Sequence, residues 1–269
     1  MPSALVPIRG RPLFVESSGS GPPFLAMHGL GGSTNLFPLA SAVSSLGQGY
    51  TVVRFDFEGA GKSPLSDKGA QEGLKMEEFV EDAKAVLEWA GKAGEKAVVF
   101  GHSLGAAVAL HLAATYPDLV SHLVLSCPSM PRAGDPAGVE ASLNLAKLAR
   151  EKGPFEMADF TAMKNTAPLS SVLARALVRT AMQESTPEGY AQTCEMISRT
   201  GAPDWAKIEV PVRIVAGRED QISSVEQGEK VKASLTASES IEVIPVDAGH
   251  QPAIECPETV LSILKDFLT

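Results

Sequence analysis

Short apolar runs alternate with segments of helical periodicity at both ends of the chain. We predict strands over residues 11–17, 24–28, 50–55, 97–101, 120–127, 212–216 and 241–246. Apolar positions spaced three and four residues apart predict helices over 36–46, 74–90, 105–116 and 257–268. Apolar strands alternating with amphipathic helices are typical of a mostly parallel sheet with helices on both faces. The pattern therefore predicts an α/β fold.

The middle of the chain has a different pattern, with no predicted strand from residue 128 to about 205. Helical periodicity covers 139–150, 155–164, 170–183 and 187–198, and prolines and glycines separate these segments. We therefore predict a core domain over 1–127 and 206–269, interrupted by a four-helix insertion over 128–205. Open parallel sheets bind ligands at the carboxyl ends of their strands. An insertion at that edge is expected to act as a lid.

Composition and charge narrow the class of protein. The chain has 269 residues, 44% of them hydrophobic, which permits one large domain or one domain with an insertion. A net charge of −9 argues against a nucleic-acid partner. No apolar stretch approaches the roughly 18 residues of a membrane span, and Met1 to Leu5 show no secretory pattern. Three widely spaced cysteines suggest reduced thiols, so we expect a cytoplasmic protein.

The sequence Gly101-His102-Ser103-Leu104-Gly105 lies between a predicted strand and a predicted helix. Glycine-x-serine-x-glycine in this context is the nucleophile elbow, a tight turn that projects the serine hydroxyl from the sheet edge. Small flanking residues are needed because the strand and helix backbones approach closely there. Ser103 is therefore the candidate nucleophile.

A serine nucleophile needs a base, a group that orients the base, and donors for the oxyanion. His250 lies between the strand 241–246 and the last helix, and it is our candidate base. Asp220 follows the strand 212–216 and is the preferred orienting group, with Glu219 and Asp247 as rivals. The backbone N–H groups of Leu30 and Leu104 are the expected oxyanion donors.

Three further stretches resemble motifs of the α/β-hydrolase superfamily, and the order Ser, Asp, His along the chain agrees with it. The stretch 28–31 resembles the family's oxyanion loop, 56–63 resembles its Asp-x-Arg-Gly-x-Gly-x-Ser turn, and 249–258 resembles its terminal motif. Glu58 stands where that turn usually has arginine. The resemblance covers essentially the whole chain. It implies the α/β-hydrolase fold: a mostly parallel eight-stranded sheet flanked by helices, with a helical lid.

Within this superfamily, residues 188–217 look most similar to 3-oxoadipate enol-lactonases. That resemblance implies a lid arginine that holds the substrate carboxylate, for which Arg132 is the candidate. Arginine can bind a carboxylate through two parallel hydrogen bonds. His102 is a second candidate substrate-binding residue.

Nothing in the sequence indicates a cofactor or a metal. The stretch Gly61-Lys62-Ser63 lacks the glycine at position 56 that a phosphate-binding loop requires, and residues 29–32 do not form a dinucleotide motif. None of the cysteines is spaced as a metal ligand. Ser103 at the elbow also disfavours haloalkane dehalogenases and epoxide hydrolases, which use aspartate there.

The first hypothesis is a serine hydrolase that cleaves a small carboxylic ester or lactone, acting as a monomer or homodimer without a cofactor. The same residues would serve a C–C bond hydrolase or a perhydrolase. A third hypothesis is a small-molecule receptor with slow turnover, whose lid exposes an apolar patch to a partner. The helical spacing of six lid leucines instead predicts core positions. They are Leu143, Leu145, Leu148, Leu169, Leu173 and Leu177.

Overall fold

The centre of the fold is an eight-stranded sheet in the order β1-β2-β4-β3-β5-β6-β7-β8. The computed structural model describes residues 4–269, so Met1 to Ser3 of the N-terminal stretch lie outside the described residues. The strands are Ala4–Ile8, Arg11–Gly19, Pro23–Met27, Thr51–Phe55, Ala97–His102, Val120–Ser126, Val212–Gly217 and Ile241–Val246, numbered β1 to β8. Strand β2 pairs antiparallel with β1 and β4, and the other pairs are parallel. The predicted fold class is confirmed.

Strand β1 is the one strand that the hydrophobic pattern did not predict. Only Val6 and Ile8 of its five residues are buried, and Pro7 interrupts the run. Proline is tolerated because β1 is at the edge of the sheet.

Ten α-helices accompany the sheet in residues 4–269. They are Ala40–Val43, Asp67–Glu72, Met76–Trp89, Leu104–Thr115, Pro136–Asn165, Val172–Gln183, Pro187–Arg199, Val225–Ser234, Pro252–Glu255 and Pro257–Leu268, numbered α1 to α10. None of these helices has the length and apolarity that crossing a bilayer requires.

The helix predictions need correction at four places. The predicted helix 36–46 is wrong: a 3-10 turn, Thr34–Leu36, precedes the four-residue α1, because Pro38 disfavours helix at the residue before it. Helices α2, α8 and α9 were missed. Helices α2 and α8 have few buried residues, Gly69 in α2 and Gly228 and Val231 in α8, so neither has a clear apolar period, and α9 has only four residues.

Two apolar layers cover the sheet. On one face, α3 and α4 pack on inward residues such as Leu25, Val53 and Val99. On the other face, α1 and α10 cover Phe24, Val52 and neighbouring residues. Helix α4 is buried along most of its length. This burial fixes the position of its N-terminus, which begins directly after Ser103.

The segment between β6 and β7 contains α5, α6 and α7 and no strand. The helices predicted over 139–150 and 155–164 are the two halves of α5, which is kinked at Gly153 (φ 77°) before Pro154. The segment has small apolar clusters of its own, which reach the sheet-edge loops through Leu30, Leu36 and Ile254. Its division from the core at residues 128 and 205, and its action as a lid, stay predictions.

The expectation that all six lid leucines lie in the core is wrong. Leu145 and Leu148 pack against the cluster formed by α5 and α7. The other four are exposed: Leu143 by 45%, Leu169 by 95%, Leu173 by 77% and Leu177 by 39%. Phe155, Phe160 and Met163 on α5 and Val172 on α6 are exposed as well. Large apolar residues are therefore exposed on α5, on α6 and in the connection between them, among exposed charged residues.

Two glycines let the elbow form. A Cβ at Gly101 would lie 2.7 Å from the Cα of Ala106, and one at Gly105 would lie 2.8 Å from the carbonyl oxygen of His28. Real Cβ atoms do not approach other backbone so closely. The predicted need for small residues on both sides of Ser103 therefore has a direct steric cause.

We expect Gly105→Ala to lower the free energy of unfolding by about 1–3 kcal/mol, the usual range for overpacking a well-packed site. The added methyl group would force α4 away from the end of β3. Urea denaturation of both proteins measures the change. Gly201→Ala is the matched control, since a Cβ there meets nothing within 4 Å. Equal stability of the two variants would contradict the close approach.

Candidate active site

Ser103 occupies the turn between β5 and α4 in a strained backbone conformation, with φ 51° and ψ −111°. A positive φ is uncommon for a residue with a side chain and is maintained only where the surroundings impose it. Here the Ser103 N–H donates to the carbonyl oxygen of Ser126 at 2.9 Å, across the end of the sheet. The turn leaves the hydroxyl at the carboxyl edge of the strands.

The structure brings Ser103, His250 and Asp220 into one hydrogen-bonded row. The Ser103 hydroxyl lies 3.0 Å from His250 Nε2, and His250 Nδ1 lies 2.7 Å from an Asp220 carboxylate oxygen. Since a carboxylate only accepts, Nδ1 carries a proton and Nε2 of the neutral ring is free to accept one. This is the protonation pattern that a general base for Ser103 needs.

The Asp220 carboxylate is buried and well supplied with donors. Burial by itself would raise its pKa, but hydrogen bonds from His250 and from the Ser223 and Ile222 N–H groups hold the pKa below its usual value. The two backbone donors lie 2.9 and 2.7 Å from one carboxylate oxygen. Asp220 is therefore ionised at neutral pH.

The two rival carboxylates do not reach His250. Asp247 is 93% exposed and pairs with Arg218 at 3.1 Å. Glu219 is also exposed. Of the three acidic residues considered, Asp220 alone bonds the imidazole.

Glu255 holds the loop that carries His250, a role that sequence reasoning missed. One carboxylate oxygen accepts from the Gln251 N–H at 2.9 Å, and the other accepts from the Gly249 N–H at 3.1 Å. The second oxygen also accepts from the Ala167 N–H of the α5–α6 connection at 2.7 Å. The residues on both sides of His250 are thus fixed by one side chain. An acidic residue in the one-turn helix directly after the histidine loop is the signal that could have revealed it.

The expected oxyanion donors are on opposite sides of Ser103. The Leu104 N–H is at the first position of α4, where helix N–H groups have no partner within the helix. Leu30 follows Gly29, whose Cβ, if it had one, would lie 3.1 Å from Ser103 Cβ. Neither N–H donates to an acceptor within residues 4–269. Both groups are available to a ligand atom beside Ser103.

Buried polar side chains hold the loop that carries Leu30. His28 Nδ1 donates to the Gly29 carbonyl oxygen at 2.7 Å, while Nε2 accepts from the Phe57 N–H at 3.0 Å. Burial lowers the pKa of His28, which keeps the ring neutral in this arrangement. Asp56, fully buried, accepts from the N–H of Thr34 at 2.6 Å, just beyond the glycine-rich turn.

The two candidate substrate-binding residues have different positions. The His102 ring lies 4.9 Å from the His250 ring, is 6% exposed, and is not among the residues that line the cavity above Ser103. Burial lowers the pKa of His102 to about 3, so it is neutral. Arg132 does line the cavity, beside the N-terminus of α5.

A cleft with a cavity volume of about 150 Å³ opens above these three side chains, and Ser103, Leu30 and Leu104 all line it. Its other walls come from α4, α5, α7, the start of α3 and the connections beside these helices, and most are apolar. They include Met76, Leu110, Met130, Leu145, Ile197 and Trp205. The site joins a candidate nucleophile, a candidate base and two N–H groups without a partner to an apolar space, the combination that acyl transfer requires.

One group of three potential metal ligands occurs in residues 4–269: Cys127, Asp220 and His250, with ligand atoms within 4.8 Å of one another. Burial raises the pKa of the Cys127 thiol well above its usual value. A metal would need the thiolate, and it would compete with the bond between Asp220 and His250. These side chains do not fit a metal, and its absence stays a prediction.

Comparison with known proteins agrees with this chemistry. The model of the alpha/beta hydrolase family matches residues 19–263. Pyrrolizixenacetamide deacetylase of Xenorhabdus hominickii is 28% identical over 273 aligned positions, which cover 93% of this chain and 92% of that protein.

Two solved structures are similar over nearly the whole chain. A thermophilic esterase from Thermogutta terrifontis is 25% identical, with a TM-score of 0.80 and coverage of 96% of this chain and 93% of that one. The enol-lactonase from Burkholderia xenovorans LB400 is 23% identical, with a TM-score of 0.82 and coverage of 99% of both chains. The second likeness shows the fold alone.

This geometry predicts that Ser103 is an activated nucleophile, whatever the substrate. We expect a fluorophosphonate probe to label Ser103, and Asp220→Asn to slow the labelling roughly 10³- to 10⁴-fold, because the amide no longer holds His250 in the required tautomer. The measurement is the second-order rate constant of labelling.

Asp247→Asn is the matched control for this experiment, because Asp247 belongs to the same group of loops but points into solvent. Its labelling rate should equal that of the unmodified protein. If the two variants lose reactivity equally, Asp220 does not orient the base.

Proposed function

The chain belongs to the alpha/beta hydrolase family, and from this premise we propose that it is a serine hydrolase that cleaves a small carboxylic ester or lactone. The observation that carries the proposal is the hydrogen-bonded row of Ser103, His250 and Asp220 at the floor of an apolar cleft. The unpaired N–H groups of Leu30 and Leu104 beside Ser103 give it further support.

In the first half of the reaction, Ser103 Oγ attacks the carbonyl carbon and His250 Nε2 accepts the hydroxyl proton. The negative charge that develops on the carbonyl oxygen is stabilised by the Leu30 and Leu104 N–H groups. Asp220 stabilises the imidazolium. The proton then passes to the leaving oxygen, which departs with an alcohol or, in a lactone, stays attached at the other end of the acyl chain.

In the second half, His250 Nε2 removes a proton from water, and the resulting oxygen nucleophile attacks the acyl carbon. Collapse of the second tetrahedral intermediate returns the proton to Ser103 and releases the carboxylic acid. Water enters through the cleft, and the helices α5 to α7 act as the lid that restricts this entry.

Enol-lactone hydrolysis is the specific reaction that we favour within this class. Arg132 supports it, since it lines the cleft and makes no ion pair within residues 4–269. A guanidinium without a carboxylate partner can receive the substrate's carboxylate. A C–C bond hydrolase or a perhydrolase would use the same three hydrogen-bonded residues, Ser103, His250 and Asp220.

The exposed outer side of α5 and α6 favours a second candidate, the slow-turnover receptor. Seven large apolar residues are exposed there: Phe155, Phe160, Met163, Leu169, Val172, Leu173 and Leu177. Patches of this kind are characteristic of protein interaction sites. A receptor would hydrolyse its ligand once and retain the product, so its kinetics differ from those of an enzyme.

Ser103→Ala should abolish turnover and leave folding and ligand binding intact. His250→Ala should lower kcat by roughly 10⁴- to 10⁶-fold. Initial rates on an aryl acetate, a simple lactone and an enol-lactone measure both effects. His122→Ala is the matched control, since that ring packs on Phe267 away from the cleft. A single slow burst of product in the unmodified protein would instead indicate the receptor.

Arg132→Ala should raise KM for a carboxylate-bearing lactone about 10- to 100-fold, because a charged hydrogen bond contributes roughly 1.5–3 kcal/mol. Neutral esters should be hydrolysed at nearly the original rate. The measurement is kcat/KM on a matched pair of substrates with and without the carboxylate. Arg179→Ala is the control, because Arg179 pairs with Asp159 outside the cleft. An equal loss on both substrates would show that Arg132 does not bind a carboxylate.

A further inference from the structure

We propose that the cleft contains a tract for an unbranched apolar acyl chain, which runs along one side of α4 from Ser103 and ends at His111. The proposal rests on the proposed ester hydrolysis, because the chain would be the acyl part of the substrate. It names a substrate class that would take the place of the enol-lactone favoured above: an ester of a medium-length fatty acid.

The first observation is a stripe on α4. Most residues of this helix are buried, whereas Ser103, Ala107 and His111 are only partly buried. They are four residues apart, so they lie on one side of the helix. All three line the cleft. The empty space therefore follows the helix for two turns beyond the nucleophile.

The length of the stripe sets the length of the chain. His111 follows Ser103 by eight positions, which corresponds to about 12 Å along the axis at the usual helical rise. Because the bonds of an extended alkyl chain zigzag, each advances about 1.3 Å along the chain axis, so roughly nine or ten carbon atoms cover that distance.

The walls around the stripe offer an alkyl chain contact and few polar partners. Leu110, Ile197 and Trp205 line the cleft with apolar surface. The hydroxyl groups of two other lining residues already donate to backbone carbonyl oxygens, Thr200 to Met196 at 2.8 Å and Ser142 to Gly138 at 2.9 Å. No aspartate or glutamate lines the cleft. Burial of methylene groups is favourable here, whereas a polar chain would lose hydrogen bonds to water.

His111 closes the far end of the tract. Its Nε2 donates to the Gly201 carbonyl oxygen at 3.3 Å, joining α4 to the connection after α7. A second, open pocket lies beyond it. The two pockets share Met76, His111, Thr200 and Gly201 as lining residues. The outer pocket adds Lys75, Glu77 and Arg199. The imidazole is therefore part of a thin wall between an apolar tract and a charged surface pocket.

The test is kcat/KM for p-nitrophenyl esters with unbranched acyl chains of two to fourteen carbon atoms. We expect kcat/KM to rise about fourfold for each added methylene group, as its burial implies, to a maximum near roughly nine or ten carbons. A profile that is flat, or that falls steadily from the acetyl ester, would overturn the proposal.

Two variants move the profile in opposite directions. Ala107→Phe places a ring halfway along the tract and should lower kcat/KM for the octanoyl ester at least 50-fold, with acetyl ester hydrolysis changed less than about threefold. His111→Ala opens the wall and should shift the maximum to longer chains by two carbons or more. His122→Ala, a histidine outside the cleft, should leave the maximum in place. Equal losses on short and long esters in Ala107→Phe would contradict the tract.

A measurement of fatty-acid binding distinguishes failure of this proposal from failure of the proposed function. Calorimetry with octanoate and butyrate on Ser103→Ala does not depend on turnover. If esters are not hydrolysed but octanoate binds much more tightly than butyrate, and Ala107→Phe removes the difference, the tract exists and the hydrolysis proposal is wrong. If acetyl esters are hydrolysed through Ser103 but chain length affects neither rate nor binding, the tract is wrong. Thermal melting of each variant verifies that it is folded.

Discussion

The close contact between the end of β5 and the start of α4 is the constraint on which the rest of the site depends. It forces Ser103 to a φ of 51° and requires glycine at positions 101 and 105. The strain at Ser103 is tolerated because α4 is buried almost all round and cannot move away from the sheet. The same placement points the first N–H groups of α4 at the space beside the hydroxyl. The candidate nucleophile and one candidate oxyanion donor, the Leu104 N–H, thus come from one turn.

Three carboxylates, of which Asp56 and Asp220 are buried and Glu255 is half-buried, hold the loops around that turn in a common manner. Asp220, Glu255 and Asp56 each accept backbone N–H groups from the loop that they stabilise. A charged acceptor of several N–H groups offsets the cost of its own burial and leaves the loop little freedom. Only Asp220 also contacts His250, the candidate base. The other two act on the site through the positions of backbone atoms.

The helices between β6 and β7 have apolar residues facing the cleft and further apolar residues exposed to solvent. Their inner side contributes apolar walls to the cleft. Apolar residues such as Leu169, Leu173 and Phe155 are also exposed on them and in the connection between them, among exposed charged residues. A helix with apolar residues on two sides gives an ambiguous period, which is why spacing alone assigned Leu173 and Leu177 to the core.

Local sequence patterns determined the parts of this protein that depend on neighbours along the chain. The alternation of strands and helices, the elbow at Ser103 and the positions of His250 and Asp220 at strand ends all follow from short-range spacing, because carboxyl ends of parallel strands share one edge. Glu58 shows what such local patterns do not reveal. The sequence marks it as a departure from the family's arginine, but only the fold brings Arg11 of β2 within 2.6 Å of it.

Tertiary structure alone decided which carboxylate bonds His250, which side chain fixes its loop and which face of α4 borders empty space. Each of these depends on distances between residues far apart in sequence, such as the 147 positions between Ser103 and His250. A linear pattern contains no measure of such distances. The roles of Glu255, Ala107 and His111 therefore became visible only in the folded chain.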